Sequence, residues 1–254
     1  MDILEELKKV REYYEGDPKA KHFNALVLGE SGTGKTFLTR TCRFPVHIDS
    51  FDPGGTRGLR DYIDKGLILA DTRWEKEDPL QPSVYAEWCK VMEDRGRSGY
   101  WKYFSTYMLD SATSWSSAIM NWVLLKAGIP GTAPRFSHDY VPQKIQIQNR
   151  IYQLCNLPCD FILTGHLEAN KDEATGSTRL RFMTTGKGDV TIPLLFDEQY
   201  SLITKETSKG LEYLLITKNT GVYVAKSRLA AKGKLELYEK PDIKGILKKV
   251  GYDT

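Results

Sequence analysis

Eight consecutive residues, Gly29-Glu30-Ser31-Gly32-Thr33-Gly34-Lys35-Thr36, carry the clearest chemical signal in the 254-residue chain. They satisfy the spacing G-x-x-x-x-G-K-[ST], and an apolar run, NALVL, stands immediately before them. Glycines so placed let the backbone turn tightly, and successive N–H groups then converge on a phosphate, aided by the amino terminus of the helix that follows. Lys35 would bridge the β- and γ-phosphates and the Thr36 hydroxyl would hold Mg²⁺, so a nucleoside triphosphate such as ATP is the expected ligand. A chance glycine turn is the competing reading, and the order strand, loop, helix opposes it.

A triphosphate with magnesium needs a carboxylate partner. Asp110 ends the apolar run STYMLD. In parallel α/β sheets ligands gather at the carboxyl ends of strands, so Asp110 is expected to reach the metal from the strand neighbouring the glycine loop. The following Ser-Ala-Thr-Ser is also good helix-capping chemistry, which leaves a purely structural Asp110 as the alternative.

Short apolar runs alternating with helical patterns must position these groups. Strands are expected at 24–28, up to Asp49, at 66–70, up to Asp110 and at 160–166, with helices at about 35–42, 58–66, 82–93, 116–128 and 141–155. Beyond them EQYSLIT, LEYLLIT and GVYVAKSR are joined by short turns. The pattern predicts an α/β fold, a mainly parallel sheet flanked by helices with an antiparallel C-terminal extension. Residues 1–22 form an amphipathic helix with Ile3, Leu4, Leu7 and Val10 on one stripe, for packing or an oligomer contact, and 23–254 form one core.

Composition fits one ordered domain: 27% of residues are charged and 41% hydrophobic, with net charge +3. No apolar run approaches the roughly 20 residues of a bilayer span, and the opening segment is unlike a secretory leader. A cytoplasmic protein with no membrane contact is expected. Cys42, Cys89, Cys155 and Cys159 read as reduced thiols, and the dispersed histidines give no metal cluster. From residue 205 onward eleven Lys and Arg stand against six Asp and Glu, so the C-terminal surface is basic.

GESGTGKT, HIDSFDPGG, YMLDSATSW and DFILTGH, in this order, resemble the RecA-type P-loop ATPase core, most of all the short phage-encoded RecA-like ATPases of single-strand annealing and recombination. The resemblance spans about residues 23–228 and implies ATP hydrolysis with Mg²⁺ on single-stranded DNA, in a homo-oligomeric ring or filament. It also admits a single-strand-binding protein as partner and a host-cell cytoplasmic location. By the same resemblance a water-orienting acid belongs near Phe51, where the family's glutamate is missing. Asp52 is the first choice and Asp49 the second, a departure that implies slow hydrolysis. His166 falls where the family senses the γ-phosphate, and Lys226 with Arg228 where a basic pair reaches a neighbour's nucleotide. For each of these a plain structural role competes: turn former, backbone-satisfied histidine, solvated basic edge.

DNA contact is expected after the fourth and fifth strands. Arg135 and Phe136 pair a phosphate contact with a stacking ring, and 168–189 offers Lys171, Arg179, Arg181 and Lys187. Acids cancel the charge of the second segment. The alternatives are a packaging or helicase motor, a nucleotide-gated binding module with little turnover, and a small-molecule kinase.

Overall fold

The computed structural model describes residues 3–16, 22–136, 138–171, 176, 178–184, 188–208, 210–229 and 233–252. Four strands are buried along almost their whole length: β1 (Asn24–Gly29), β2 (Val46–Ser50), β4 (Thr106–Asp110) and β5 (Asp160–Gly165). Near-continuous apolar runs of this kind suit a parallel sheet covered on both faces. With β3 (Ile68–Asp71), β8 (Glu198–Thr207), β9 (Gly210–Ile216) and β11 (Tyr238–Glu239) the order is β11-β9-β8-β1-β5-β4-β2-β3, and β10 (Lys226–Ser227) pairs with β8. From β3 to β8 every pairing is parallel. β9 and β10 pair antiparallel with β8, as the sequence predicts; β8 itself runs parallel to β1, and β11, not expected from the sequence, pairs antiparallel with β9.

Side chains alternate across the sheet, so each strand feeds two cores. On one face Leu26, Leu28, Tyr107, Leu109, Phe161 and Leu163 pack under α3 (Val84–Arg97), α4 (Ala112–Lys126) and α5 (Tyr140–Leu154). On the other, Ala25, Val27, Val46, Ile48, Met108 and Ile162 pack with Leu38, Leu59 and the C-terminal helix. α2 (Arg60–Asp64) is a single short turn before β3.

Several elements depart from expectation. The segment after the glycine loop is a six-residue 3₁₀ helix, Thr36–Thr41. Its threonines bond back to local carbonyls, Thr39 Oγ1 to Thr36 O at 2.5 Å and Thr41 Oγ1 to Leu38 O at 2.8 Å, which competes with a regular helix. A helix this short adds little dipole at the loop, so the phosphate cradle rests on its own N–H groups. The loop after β5 contains a hairpin, β6 (Leu167–Lys171) with β7 (Thr178–Phe182), before the short α6 (Gly188–Thr191). GVYVAKSR pairs only over Lys226–Ser227. The last helix, α7 (Ile243–Val250), has Asp242 accepting from Gly245 N–H at its start and buries Ile243, Ile246, Leu247 and Val250. α1 (Ile3–Gly16) buries none of its residues, and Ile3, Leu4, Leu7 and Val10 of its apolar stripe are exposed. No described helix is long and apolar enough to cross a membrane.

Candidate functional site: a phosphate loop with a buried acid

The glycine loop emerges from the C-terminal end of β1 and backs onto β8. A Cβ on Gly29 would lie 2.8 Å from the Leu202 carbonyl oxygen, so only glycine fits there. Gly32 and Gly34 both take positive φ, at 79° and 93°. Lys35 folds over the loop, its Nζ donating to Gly29 O at 2.9 Å and Glu30 O at 2.7 Å. Burial lowers its pKa, and Asp110, Asp52 and Glu30 pull the other way.

Thr36 Oγ1 donates to Asp110 Oδ2 at 2.5 Å, so the two magnesium candidates already touch. The route differs from the one expected. β5 lies between β1 and β4, so Asp110 reaches in from the next strand but one. The intervening strand contributes Thr164, whose hydroxyl donates to Asp110 Oδ1 and reaches Leu109 O at 3.3 Å. Asp110 and Thr164 share the sheet face of Met108 and Ile162, where the Thr36 segment sits.

Burial raises the pKa of Asp110. The hydroxyls of Thr164 and Thr36 oppose the shift, Asp52 adds to it, and Lys35 offers the compensating charge. A carboxylate held dry with too little positive charge, beside a hydroxyl, suits a hard dication that takes oxygen ligands. Mg²⁺ therefore fits Thr36 and Asp110. The conflict also dictates a trade-off. Asp110→Asn is expected to raise the stability of the nucleotide-free protein by about 0.5–2 kcal/mol while lowering turnover about 100-fold. Urea melts beside a turnover assay check this, and a destabilised but active variant would contradict it.

Asp52 lies in the same pocket of about 570 Å³, with Lys35, Thr36, Gly55, Asp110 and His166. Its Oδ1 accepts from Ser111 Oγ at 3.0 Å and from Ser114 Oγ at the start of α4. Asp49, the second choice, does not belong there. It is 0% exposed and sits on the opposite sheet face, where Trp74, Trp88, Tyr107, Arg95 and His47 all bond to its carboxylate. Alternation along β2 separates it from Ser50, which registers with Asp110, while Asp49 registers with Leu109. It is a structural acid, and the general-base role does not apply to it.

His166 follows β5 and lines the pocket, half-buried, its pKa lowered by burial and by Lys35. Its backbone N–H donates to Thr113 Oγ1 on α4 at 3.3 Å, and its carbonyl accepts from Met183 N at 2.9 Å. It therefore joins the pocket to α4 and to the hairpin segment. The basic pair lies elsewhere: Lys226 registers with Gln199 on β8, well before Leu202, the β8 residue beside the loop. Lys226 Nζ donates to Pro193 O at 2.7 Å and Phe196 O at 2.8 Å, so its amine holds a turn in its own chain and the paired contact is lost. Arg228 bonds to Asp197 at 2.7 Å and stays 60% exposed.

Of the expected DNA contacts, Arg135 forks onto Asp139 at 3.1 and 2.8 Å, which fixes the turn into α5 instead of freeing a cation. Phe136 is 89% exposed. It edges a second cleft of about 810 Å³ with Met120, Tyr140, Met183, Thr113 and Glu168. Lys171 and Arg179 are exposed on the hairpin strands, Arg181 pairs with Asp189 at 3.2 Å, and Lys187 lies outside the described residues.

Tyr213 and Glu75 are contributors that escape a sequence reading. Tyr213 on β9 would lie 3.5 Å from a Cβ on Gly34, and with Pro241 and Leu202 it closes the pocket end remote from His166. Only the β8–β9 pairing brings Tyr213 there. Glu75 braces the turn that carries Asp52, from a 3₁₀ turn with no motif of its own. Cys42, Cys89, Cys155 and Cys159 form no disulfide, and Cys42 and Cys159 are buried.

A sequence family described as an AAA domain matches residues 21–229. No curated protein matches the chain. Solved structures of similar shape include a KaiC-like protein from the hyperthermophilic archaeon Pyrococcus horikoshii OT3, with 13% identity, TM-score 0.41, and coverage of 76% of this chain and 77% of that one. Flagellar accessory protein FlaH from Methanocaldococcus jannaschii shows 14% identity and TM-score 0.40 over 76% of each chain. With the glycine loop on β1, Asp110 on β4 and one strand between them, the chain has a RecA-like P-loop NTPase fold and belongs to the AAA-domain family.

Proposed function

We propose that the protein is an Mg²⁺-dependent ATPase that acts on single-stranded DNA, as an oligomer, in recombination or strand annealing. The observation that carries the ATPase reading is the meeting of Lys35, Thr36, Asp110 and Asp52 in one pocket. Lys35 exchanges its loop carbonyls for phosphate oxygens, and the loop N–H groups hold the β-phosphate. Thr36 and Asp110 would hold Mg²⁺, which when bound would supply positive charge against the phosphates. Asp52, kept by two serine hydroxyls, accepts a proton from the attacking water. Tyr213 and Pro241 offer an apolar resting place for the base.

The DNA reading draws on the family resemblance and on the cleft beside α4. Phe136 supplies an exposed ring for a base, and Thr113, which lines the cleft, receives the backbone N–H of His166. Nucleotide state and cleft shape are thereby linked through neighbouring residues. Arg228 is the remaining candidate for a contact across a subunit boundary.

ATP turnover with and without single-stranded DNA tests the reading. Turnover is expected to rise with DNA, and Arg228→Ala to lower it strongly with nucleotide affinity kept. Normal turnover of that variant at every protein concentration would remove the trans contact. Phosphorylation of a small acceptor in place of water would make the protein a kinase.

A further inference from the structure

Asp52 sits in a turn, Phe51-Asp52-Pro53-Gly54-Gly55, whose glycines give the backbone freedom to drift. One side chain from outside grips both of its ends. Glu75 Oε1 accepts from the Ser50 hydroxyl at 2.7 Å, and Glu75 Oε2 accepts from Gly54 N–H at 2.9 Å. Ser50 is the last residue of β2, and Gly54, at φ 72°, leads into the 3₁₀ turn Gly55–Leu59. Two further bonds hold the same turn, Phe51 N–H to Asp110 O at 2.6 Å and Gly55 N–H to Asp52 O at 2.9 Å. Glu75 is not among the pocket-lining residues, so its carboxylate serves the turn and leaves the pocket to Asp52.

We infer that Glu75 is a positioning residue: its carboxylate clamps Ser50 and Gly54 so that Asp52 keeps its place opposite Asp110 and the phosphate loop. The inference rests on the reading of Asp52 as the acid that orients water. A hydrogen bond to an ionised acceptor is stronger than a neutral one, which suits a clamp on an otherwise loose backbone. Displacing a reacting group by about 1 Å costs on the order of 100-fold in rate, so loss of the clamp should appear in kcat. Nucleotide affinity depends on the glycine loop, which Glu75 does not touch, so KM should stay.

The test compares Glu75→Ala, Glu75→Gln and Asp52→Asn in the full chain. Glu75→Ala is expected to lower kcat about 10- to 100-fold with the KM for ATP within about threefold of wild type. Glutamine keeps a carbonyl for Gly54 N–H and an amide N–H for Ser50 Oγ, so Glu75→Gln is expected to recover to within about fivefold. Amide hydrogen exchange without nucleotide gives a readout independent of turnover. Residues 51–55 should exchange faster in Glu75→Ala and be restored in Glu75→Gln.

A glutamine variant as inactive as the alanine one, with its turn still protected, would make Glu75 itself the proton acceptor and overturn the inference. So would a wild-type kcat in Glu75→Ala, or a KM that rises as much as kcat falls. Wild-type turnover in Asp52→Asn would instead remove the underlying reading of Asp52, whatever Glu75 does.

Discussion

Lys35→Ala is expected to abolish turnover, by about 1,000-fold or more, and to remove detectable heat of magnesium-nucleotide binding. The structure supplies two reasons. Lys35 lines the pocket at 7% exposure, and burial has already lowered its pKa. A triphosphate arriving there returns the favourable field that desolvation took away, so charge attraction adds to binding with little further desolvation of the amine. The second reason is mechanical. Nζ ties Gly29 O to Glu30 O, and alanine would leave those carbonyls without that donor. Lys35→Arg separates the two effects, because the guanidinium keeps the charge but is too broad for the same pair of carbonyls. Calorimetry and turnover on both variants check this. Wild-type turnover in Lys35→Ala would place the chemistry elsewhere.

Legibility from sequence follows the range of the interactions concerned. The phosphate loop is contiguous, so its residues announce themselves. Asp110 follows because strand ends and ligand positions are linked by topology. The inserted β5 was hidden, since nothing in a string of strands states their spatial order. Glu75 and Tyr213 reach the turn and the pocket through long-range pairings and look ordinary in sequence. The β6–β7 hairpin is exposed along nearly all of β6 and at the start of β7, so it lacks the alternation that marks a half-buried strand. α7 is different: Ile243, Ile246, Leu247 and Val250 follow helical spacing, with Asp242 before and Gly251 after. Lys244, Lys248 and Lys249 make the segment basic, and the apolar stripe between them is legible as a helix.

Asp49 shows the same lesson at the scale of one residue, with a large expected effect on stability. Asp49→Ala is expected to cost about 3–5 kcal/mol, the usual penalty for removing one partner of a buried ion pair. Among the described residues Arg95 would keep Asp71, at 2.5 Å, as its ion-pair partner, and the Trp74, Trp88 and Tyr107 donors would each lose a bond of 3.0, 2.9 and 2.8 Å. Burial alone would raise the Asp49 pKa, but His47, Arg95 and Trp88 outweigh it and hold the carboxyl well below the usual range.

The sign of the pH dependence follows. A carboxyl whose pKa is depressed by folding stabilises the native state in full above its unfolded value, about 3.9, and loses that contribution as pH falls through the folded value. The stability gap between wild type and Asp49→Asn should therefore be constant near neutrality and narrow only below about pH 4. Denaturant melts across pH measure the gap. Folded Asp49→Asn should still turn over ATP within about threefold of wild type, because its carboxylate faces α3 and not the phosphates. A variant of unchanged stability that has lost turnover would reverse the assignment and return Asp49 to the reaction.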